Sequence, residues 1–173
     1  MAISSSSTPS TTVRVGIVMG SKSDWPVMKA AKEALDGFDV ACDVRVLSAH
    51  RTPDAATAFA KEAAGRGIEV LIAGAGVAAH LPGVLAAHTT LPVIGVPLAS
   101  GPLAGVDALL AIVQMPKGIP VATVGLNRAD NAGLLAVAMM ALGDRALAAK
   151  LVEHRKNLTA AAEAADRELQ AEL

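Results

Sequence analysis

A histidine and an arginine stand side by side where an apolar run ends, in the stretch VLSAHRTPD (46–54). His50 can take up and return a proton near neutral pH, and Arg51 can hold a phosphate through paired hydrogen bonds. Thr52 suits the N-cap of a helix and Pro53 its first position. We therefore expect His50 and Arg51 just outside a helix start, where an anion would satisfy both the arginine and the helix. A solvated loop pair without a ligand is the alternative.

A second stretch, MGSKSDWP (19–26), places two hydroxyls and a carboxylate after another apolar run. Ser23 is predicted to cap the helix that follows. The hydroxyls of Ser21 and Ser23, together with free backbone N–H groups at the helix start, would form an anion cradle. Asp24 could accept hydrogen bonds from sugar hydroxyls. The alternative is an ordinary capped helix start.

A third stretch, AGAGVAAHLPG (73–83), is rich in glycine and contains a histidine. Its G-x-G-x-x-A pattern from Gly74 approximates a dinucleotide fingerprint, but no acidic residue follows about 20 positions on, where a ribose would need one. The next acidic residue is Asp107. We expect the glycines to bring backbone amides close to a small planar ligand. His80 precedes a helix start and is either a site residue or a structural histidine.

Apolar runs of strand length precede these loops and recur further on, at 13–19, 40–47, 69–75, 92–98 and 120–126. Runs that are apolar on both faces are typical of parallel strands covered on both sides. Helical segments alternate with them at 24–35, 53–66, 82–88, 106–114 and 132–142. The alternation predicts a three-layer α/β/α fold with a parallel sheet, flavodoxin-like or Rossmann-like. Ligands of such folds bind at the carboxyl ends of the strands, where the three stretches lie.

Two C-terminal segments are predicted to contact other subunits. Segment 132–142 carries no polar side chain, which predicts a helix buried all round, against a partner. From Asp144 onward a long amphipathic helix should outreach its own sheet and lie on a neighbour. We therefore divide the chain into a disordered Ser/Thr-rich tail (1–12), a catalytic α/β domain (13–143) and a C-terminal helix packing on a neighbouring subunit (144–173).

Composition makes several classes of protein poor candidates. The net charge is −1 and aromatic residues make up 2%, so we expect no nucleic-acid partner. Cys42 is the only cysteine, which leaves no disulfide and no cysteine-based metal site within the chain. Segment 70–106 lacks charged residues, but prolines and glycines interrupt it, so we expect no membrane span. The N-terminal segment has no apolar core of a signal peptide, and we expect a cytoplasmic protein.

The three stretches, followed by AIVQMPKGIPVATVGL and NAGLLA, together resemble the class I N5-carboxyaminoimidazole ribonucleotide mutases of bacterial purine synthesis. The resemblance covers about 13–136. It implies transfer of a carboxyl group from the exocyclic nitrogen of an aminoimidazole ribonucleotide to ring carbon four. It also implies that no metal, nucleotide cofactor or ATP takes part. The family is expected to form homo-octamers with active sites at subunit contacts.

The resemblance also assigns roles, motif by motif. His50 would be the general acid/base, in a route that releases CO2 from the carbamate and lets carbon four recapture it. Arg51 would hold the phosphate. The glycine-rich stretch would close over the imidazole and CO2. The remaining substrate-binding residues would be Ser21, Ser23, Asp24, Ser48, Gly74, Ala75, Gly76, His80 and Leu81.

The sequence departs from the family pattern twice. Val77 stands where a glycine is usual, and Ala111 replaces a serine. We expect Val77 to narrow the carboxylate pocket and to affect rate more than reaction type. Two alternatives stay open: the CO2-using carboxylase class of the same family, and a non-catalytic module that binds a nucleotide or sugar phosphate.

Overall fold

The computed structural model of the chain describes residues 12–173. The tail 1–12, for which we predicted disorder, lies outside the described residues except for Thr12. Within the described part, no helix is both long enough and apolar enough to cross a bilayer.

Five strands form one sheet in which every neighbouring pair is parallel. The strands are β1 (Val15–Met19), β2 (Cys42–Val46), β3 (Val70–Gly76), β4 (Val93–Leu98) and β5 (Ala122–Thr123), in the order β2-β1-β3-β4-β5. This is the flavodoxin-like order, and it confirms the predicted parallel sheet. β2 lies at an edge and is the most exposed of the longer strands.

The fifth strand is shorter than its predicted range of 120–126. Only Ala122 and Thr123 pair in register with β4. The chain still follows β4 further, because the N–H groups of Val124 and Asn127 donate to the carbonyls of Gly95 and Pro97 at 3.1 and 2.9 Å. Because these bonds are isolated, the segment beyond β5 covers the end of β4 as a loop and not as a strand.

Helices cover both faces of the sheet. They are α1 (Trp25–Asp36), α2 (Pro53–Glu62), α3 (Leu81–Ala86), α4 (Val106–Val113), α5 (Ala129–Met140) and α6 (Arg145–Glu172), with 3₁₀ turns at Lys22–Asp24 and Ala64–Arg66. Successive strand residues point to opposite faces, so Ile17 packs among α1 and α5 whereas Val18 packs among α2, α3 and α4. The predicted three-layer arrangement is therefore confirmed.

Helix α5 begins at Ala129, three residues before its predicted start, and it is buried mainly by its own chain. Gly133 permits a close approach to α1, since a Cβ there would lie 2.7 Å from the carbonyl oxygen of Ala31. Ala132, Ala136 and Val137 are buried against α1 and the sheet. The chain itself thus buries one face of α5, whereas Leu134, Leu135 and Met139 are only part-buried. The contact with a partner stays a prediction.

Helix α6 has 28 residues, which at 1.5 Å per residue makes it about 42 Å long. Its N-cap is Asp144, whose carboxylate accepts from the N–H groups of Ala146 and Leu147 at 3.0 and 3.2 Å. These bonds, with the Arg14 guanidinium 2.9 Å away, lower the pKa of Asp144. Leu147, near the start of α6, is the one buried residue of this helix. The distal half of α6 therefore does not pack on the rest of the described chain. A neighbouring subunit on that half stays a prediction.

One apolar surface is left open next to the carboxyl edge of the sheet. We call it the α4 stripe; its residues are 48–60% exposed and recur every three or four positions, namely Leu103, Val106, Leu110 and Val113. That spacing places them on one face of the helix and of the turn before it. Large contiguous apolar surfaces of this kind usually mark an interaction site.

Candidate functional site

A cavity of about 340 Å³ lies at the carboxyl ends of β1, β2, β3 and β4. The chain order reverses between β1 and β3, and open α/β sheets bind ligands at this switch point. The lining residues come from four loops, namely Gly20, Ser21, Asp24, Ser48, Ala49, His50, Arg51, Ala75, Gly76, Val77, Ala78, Leu81 and Ser100. A larger cavity of about 630 Å³ lies between α1, α5 and α6, but no predicted site residue lines it.

Most of the predicted site residues therefore meet in one place. Ser23 and Gly74 do not line the cavity, and His80 joins it only through His50. In the described part of the chain, no three histidine, cysteine, aspartate or glutamate side chains converge as a metal site would need.

The histidines of two loops contact each other directly. His50 Nε2 and His80 Nδ1 are 2.8 Å apart, and their rings meet edge to face with centroids separated by 4.9 Å. One of these nitrogens must donate a proton and the other must accept it, so at least one ring is neutral while the bond exists. The pair can therefore hold a proton at the edge of the cavity and pass it between rings.

The loop between β2 and α2 is shaped by Ser48. Its Oγ accepts from the backbone N–H groups of His50 and Arg51 at 3.3 and 3.2 Å. Thr52 is the N-cap residue of α2 and Pro53 its first residue, as predicted. The Thr52 hydroxyl makes no capping bond and instead accepts from the Ser48 N–H at 2.8 Å. The first amides of α2 therefore have no side-chain cap.

Arg51 connects this loop with the one after β1. Its guanidinium donates to the Gly20 carbonyl at 2.5 Å and to Ser48 Oγ at 3.4 Å. A second cavity, of about 290 Å³, shares Gly20, Ser48 and Arg51 with the first and adds Lys22. Two cations thus line one small cavity, which suits a phosphate. The sequence analysis did not select Lys22.

The loop after β1 is fixed by a reciprocal cap. Ser21 caps the 3₁₀ turn by accepting from the Ser23 N–H at 3.3 Å, while the Ser21 N–H donates to Asp24 Oδ2 at 2.9 Å. The prediction that Ser23 caps the helix was therefore wrong, and α1 begins at Trp25. Burial raises the pKa of Asp24, although the Ser21 N–H and the Arg51 charge oppose that rise. A half-buried carboxylate in this place is suited to accepting hydrogen bonds from the hydroxyl groups of a ligand.

Gly74 and Gly76 of the third stretch lie in β3 rather than in a loop, contrary to the expectation that they form a ligand-binding loop. A Cβ at Gly74 would lie 2.3 Å from Met28 Sδ, so this glycine makes room for the core. A Cβ at Gly76 would lie 2.1 Å from Ser100 Oγ, so this glycine makes room for a hydroxyl in the cavity. Only the second serves the site directly.

Val77 follows β3 in a left-handed conformation, with φ +54°. This region is costly for a β-branched residue and free for glycine. Val77 is 49% exposed and borders the cavity. That it narrows the carboxylate pocket stays a prediction. The departure from the family pattern therefore adds backbone strain at the cavity wall.

Ser100 is a lining residue that the sequence analysis missed. It lies just after β4, in the stretch ASGPLAG (99–105), which carries no titratable group. The rule that ligands meet loops at strand ends would have found it, had the fourth run been treated like the first three.

Comparison with known proteins points to one family. The AIR carboxylase family model matches residues 14–161. An N5-carboxyaminoimidazole ribonucleotide mutase of Mycobacterium tuberculosis is 57% identical over 157 residues, covering 91% of this chain and 90% of the relative. One of Pyrococcus abyssi is 55% identical over 145 residues, covering 84% and 83%. The crystal structure of Treponema denticola PurE superposes with a TM-score of 0.82 at 28% identity, covering 90% and 97%.

Proposed function

Because this chain belongs to the AIR carboxylase family, we propose that it converts N5-carboxyaminoimidazole ribonucleotide into 4-carboxy-5-aminoimidazole ribonucleotide in purine synthesis. Relatives that carry the mutase name share more than half of their residues with it over most of their length. The observation that carries the proposal is the meeting of His50, His80 and Arg51 at one cavity edge. A proton carrier and a phosphate-binding group are thereby brought within the span of one ribonucleotide.

The ligand is oriented by charge. Its phosphate lies in the small cavity beside Arg51 and Lys22, where two cations and uncapped helix amides favour an anion. Asp24 accepts from the ribose hydroxyls. The aminoimidazole then extends toward His50 and Gly76, along the larger cavity. Arg51 lines both cavities and so fixes the distance between the phosphate and the reacting atoms.

The reaction requires that one proton reach the exocyclic nitrogen and that one proton leave ring carbon four. The carbamate N–C bond breaks, CO2 leaves, and the electron pair stays on the exocyclic nitrogen, which receives a proton from His50. Ring carbon four then attacks the retained CO2 and returns its own proton to His50. Because His50 Nε2 shares a hydrogen bond with His80, the two rings act as one proton-carrying pair. General acid/base catalysis of this kind contributes roughly 10²–10⁴ in rate, and retention of CO2 beside carbon four contributes through effective concentration.

A second candidate is the CO2-dependent carboxylation of aminoimidazole ribonucleotide, favoured by the description of the family model that matches. A direct assay distinguishes the two. The purified chain is given the carbamate substrate without added bicarbonate, and separately the uncarboxylated ribonucleotide with a low bicarbonate concentration. A mutase converts the first rapidly, whereas a carboxylase turns over only the second. A binding module turns over neither.

We also propose that the enzyme is a homo-oligomer, with the octamer as the expected form. The open α4 stripe and the exposed distal half of α6 support this assembly, since both leave apolar side chains without a partner in the described chain. The small-molecule ribonucleotide is the only other partner proposed. A cytoplasmic location goes with the proposed pathway.

A further inference from the structure

A single hydroxyl enters the cavity from the β4 side of the sheet. Ser100 lines the cavity, and its Oγ forms no hydrogen bond with any part of the described chain. The other polar lining side chains come from the loops after β1 and β2. Ser100 is therefore the polar side chain that a ligand meets at the opposite end.

We propose that the Ser100 hydroxyl donates a hydrogen bond to the carboxylate of the ligand, and that it lets the site distinguish carboxylated from uncarboxylated aminoimidazole ribonucleotides. The inference rests on the proposed function and assigns a residue to the recognition of the migrating group. Ser100 is a substrate-contacting and specificity-determining residue in this proposal, and it carries no proton in the reaction.

The order of the strands places the groups along the ligand. Lys22 follows β1, Arg51 follows β2, and Ser100 follows β4, which is separated from β1 by β3. Neighbouring strands lie about 4.8 Å apart, so the ends of β1 and β4 are separated by about 10 Å. When the phosphate lies beside the cations, the imidazole and its carboxyl group must extend toward β4. Ser100 is the donor side chain that they reach there.

A neutral donor suits a carboxyl group that is released and recaptured. A lysine or arginine in this position would bind any small anion, bicarbonate included, and would hold the carboxylate in its starting state. A hydroxyl bonds the carboxylate more weakly and loses most of the bond once the group becomes neutral CO2. The interaction therefore favours both carboxylated forms of the ligand without trapping either.

The position of Ser100 is set by the surrounding backbone. Gly76 leaves room for its hydroxyl, which any Cβ at that position would displace. On the other side, Asn127 Oδ1 accepts from the N–H of Ala99 at 2.9 Å. Gly105, with φ +88°, permits the loop to fold back, since a Cβ there would lie 2.7 Å from the Ala99 Cα. The packing at Gly76 and Gly105 and the hydrogen bond from Ala99 to Asn127 together fix the loop with Ser100 at the cavity.

The test compares two ligands on Ser100→Ala, which removes only the hydroxyl. Calorimetry measures the Kd of 4-carboxy-5-aminoimidazole ribonucleotide and of the uncarboxylated ribonucleotide, on the full chain. We expect the first Kd to rise about tenfold or more, as for a lost hydrogen bond to a charged group, and the second to change less than about twofold. Equal changes in both, or none in either, would overturn the proposal. Thr90→Ala, which removes an exposed hydroxyl at the amino end of β4, should leave both Kd values unchanged.

Ser100→Cys separates hydrogen bonding from packing. The thiol fills the same space but is a weak donor. We expect it to lose discrimination much as Ser100→Ala does, and wild-type affinity for the carboxylated ligand in this variant would refute the role as donor. Turnover and binding by the wild-type chain show whether a negative result contradicts only this inference or the proposed function as well. If the wild-type chain isomerises the carbamate while Ser100→Ala keeps full discrimination, only this inference is wrong. If it neither isomerises the carbamate nor binds the carboxylated product, the proposed function fails as well.

Discussion

His50 and His80 are thirty positions apart in the sequence, and the structure joins them by a 2.8 Å hydrogen bond between Nε2 and Nδ1. The two residues follow β2 and β3, strands that lie on opposite sides of β1. Their bond therefore crosses the point where the strand order reverses. It holds His50 from outside its own loop. In the proposed mechanism, His80 would therefore influence proton transfer through His50.

His50→Asn should abolish measurable turnover, because an amide cannot take up or return a proton. We expect kcat to fall by about 10²–10⁴ or more, with the Kd of the carboxylated product within a few fold of wild type. Turnover assays and calorimetry on the same preparation measure the two quantities. His88→Asn is the matched control, since His88 is exposed and lies outside the cavity. Near wild-type kcat in His50→Asn would refute the assignment.

His80→Asn should lower kcat less than His50→Asn does, by roughly tenfold to a hundredfold, since it removes only the partner of the acid/base. The pH profile of kcat should also change shape, because the proton is no longer shared between two rings. In the His50→Asn background the second substitution should add little, as expected for residues that act as a unit. Additive losses in the double variant would show that His80 acts independently of His50.

Arg51→Ala should weaken binding more than it slows chemistry. Loss of a charge-assisted contact costs about 1.5–3 kcal/mol, which corresponds to a rise of about 10–100-fold in KM and in substrate Kd. Arg51→Lys should recover part of the affinity, because it keeps the charge but not the planar fork that also reaches Gly20. Arg128→Ala serves as control, since Arg128 pairs with Asp130 away from the cavity. An unchanged KM in Arg51→Ala would mean that the phosphate binds elsewhere.

The sequence predicted those features that depend on local pattern. β1, β3 and β4 were found because each is apolar on both faces, and the His50 loop because it follows such a run. Thr52 is the N-cap residue as predicted, but its hydroxyl bonds the Ser48 N–H instead of an amide of α2, a partner that the local pattern does not reveal. The role of Gly76 could not be predicted, since the hydroxyl it accommodates lies 24 positions further on, at Ser100. Contacts of this kind are set by tertiary packing.

Val77→Gly should stabilise the fold. A non-glycine residue in the left-handed region costs about 1–2 kcal/mol, and the extra chain entropy of glycine offsets about 0.5–1 kcal/mol of the relief. We expect a net gain of about 0.5–1 kcal/mol, or a rise in Tm of about 1–4 °C for a chain of this size. Calorimetric unfolding measures it. The control is Val46→Gly, because Val46 is similarly exposed but lies in β2, where glycine should lower Tm. A lower Tm in Val77→Gly would show that the valine side chain contributes more than its backbone costs.

The α4 stripe should be buried between subunits. Leu110 lies in the middle of the stripe and is 48% exposed, so a carboxylate there would have to be desolvated in any contact that covers it. Leu110→Asp is expected to convert the assembly into smaller species while the monomer stays folded, since the side chain makes no part of the core. Sedimentation velocity measures assembly and circular dichroism measures folding. Ala58→Asp introduces the same charge on an exposed position of α2 and should leave the assembly intact.

An unchanged sedimentation coefficient in Leu110→Asp would place the subunit contacts elsewhere, with the exposed half of α6 as the next surface to test. A wild-type chain that sediments as a monomer would contradict the proposed assembly altogether.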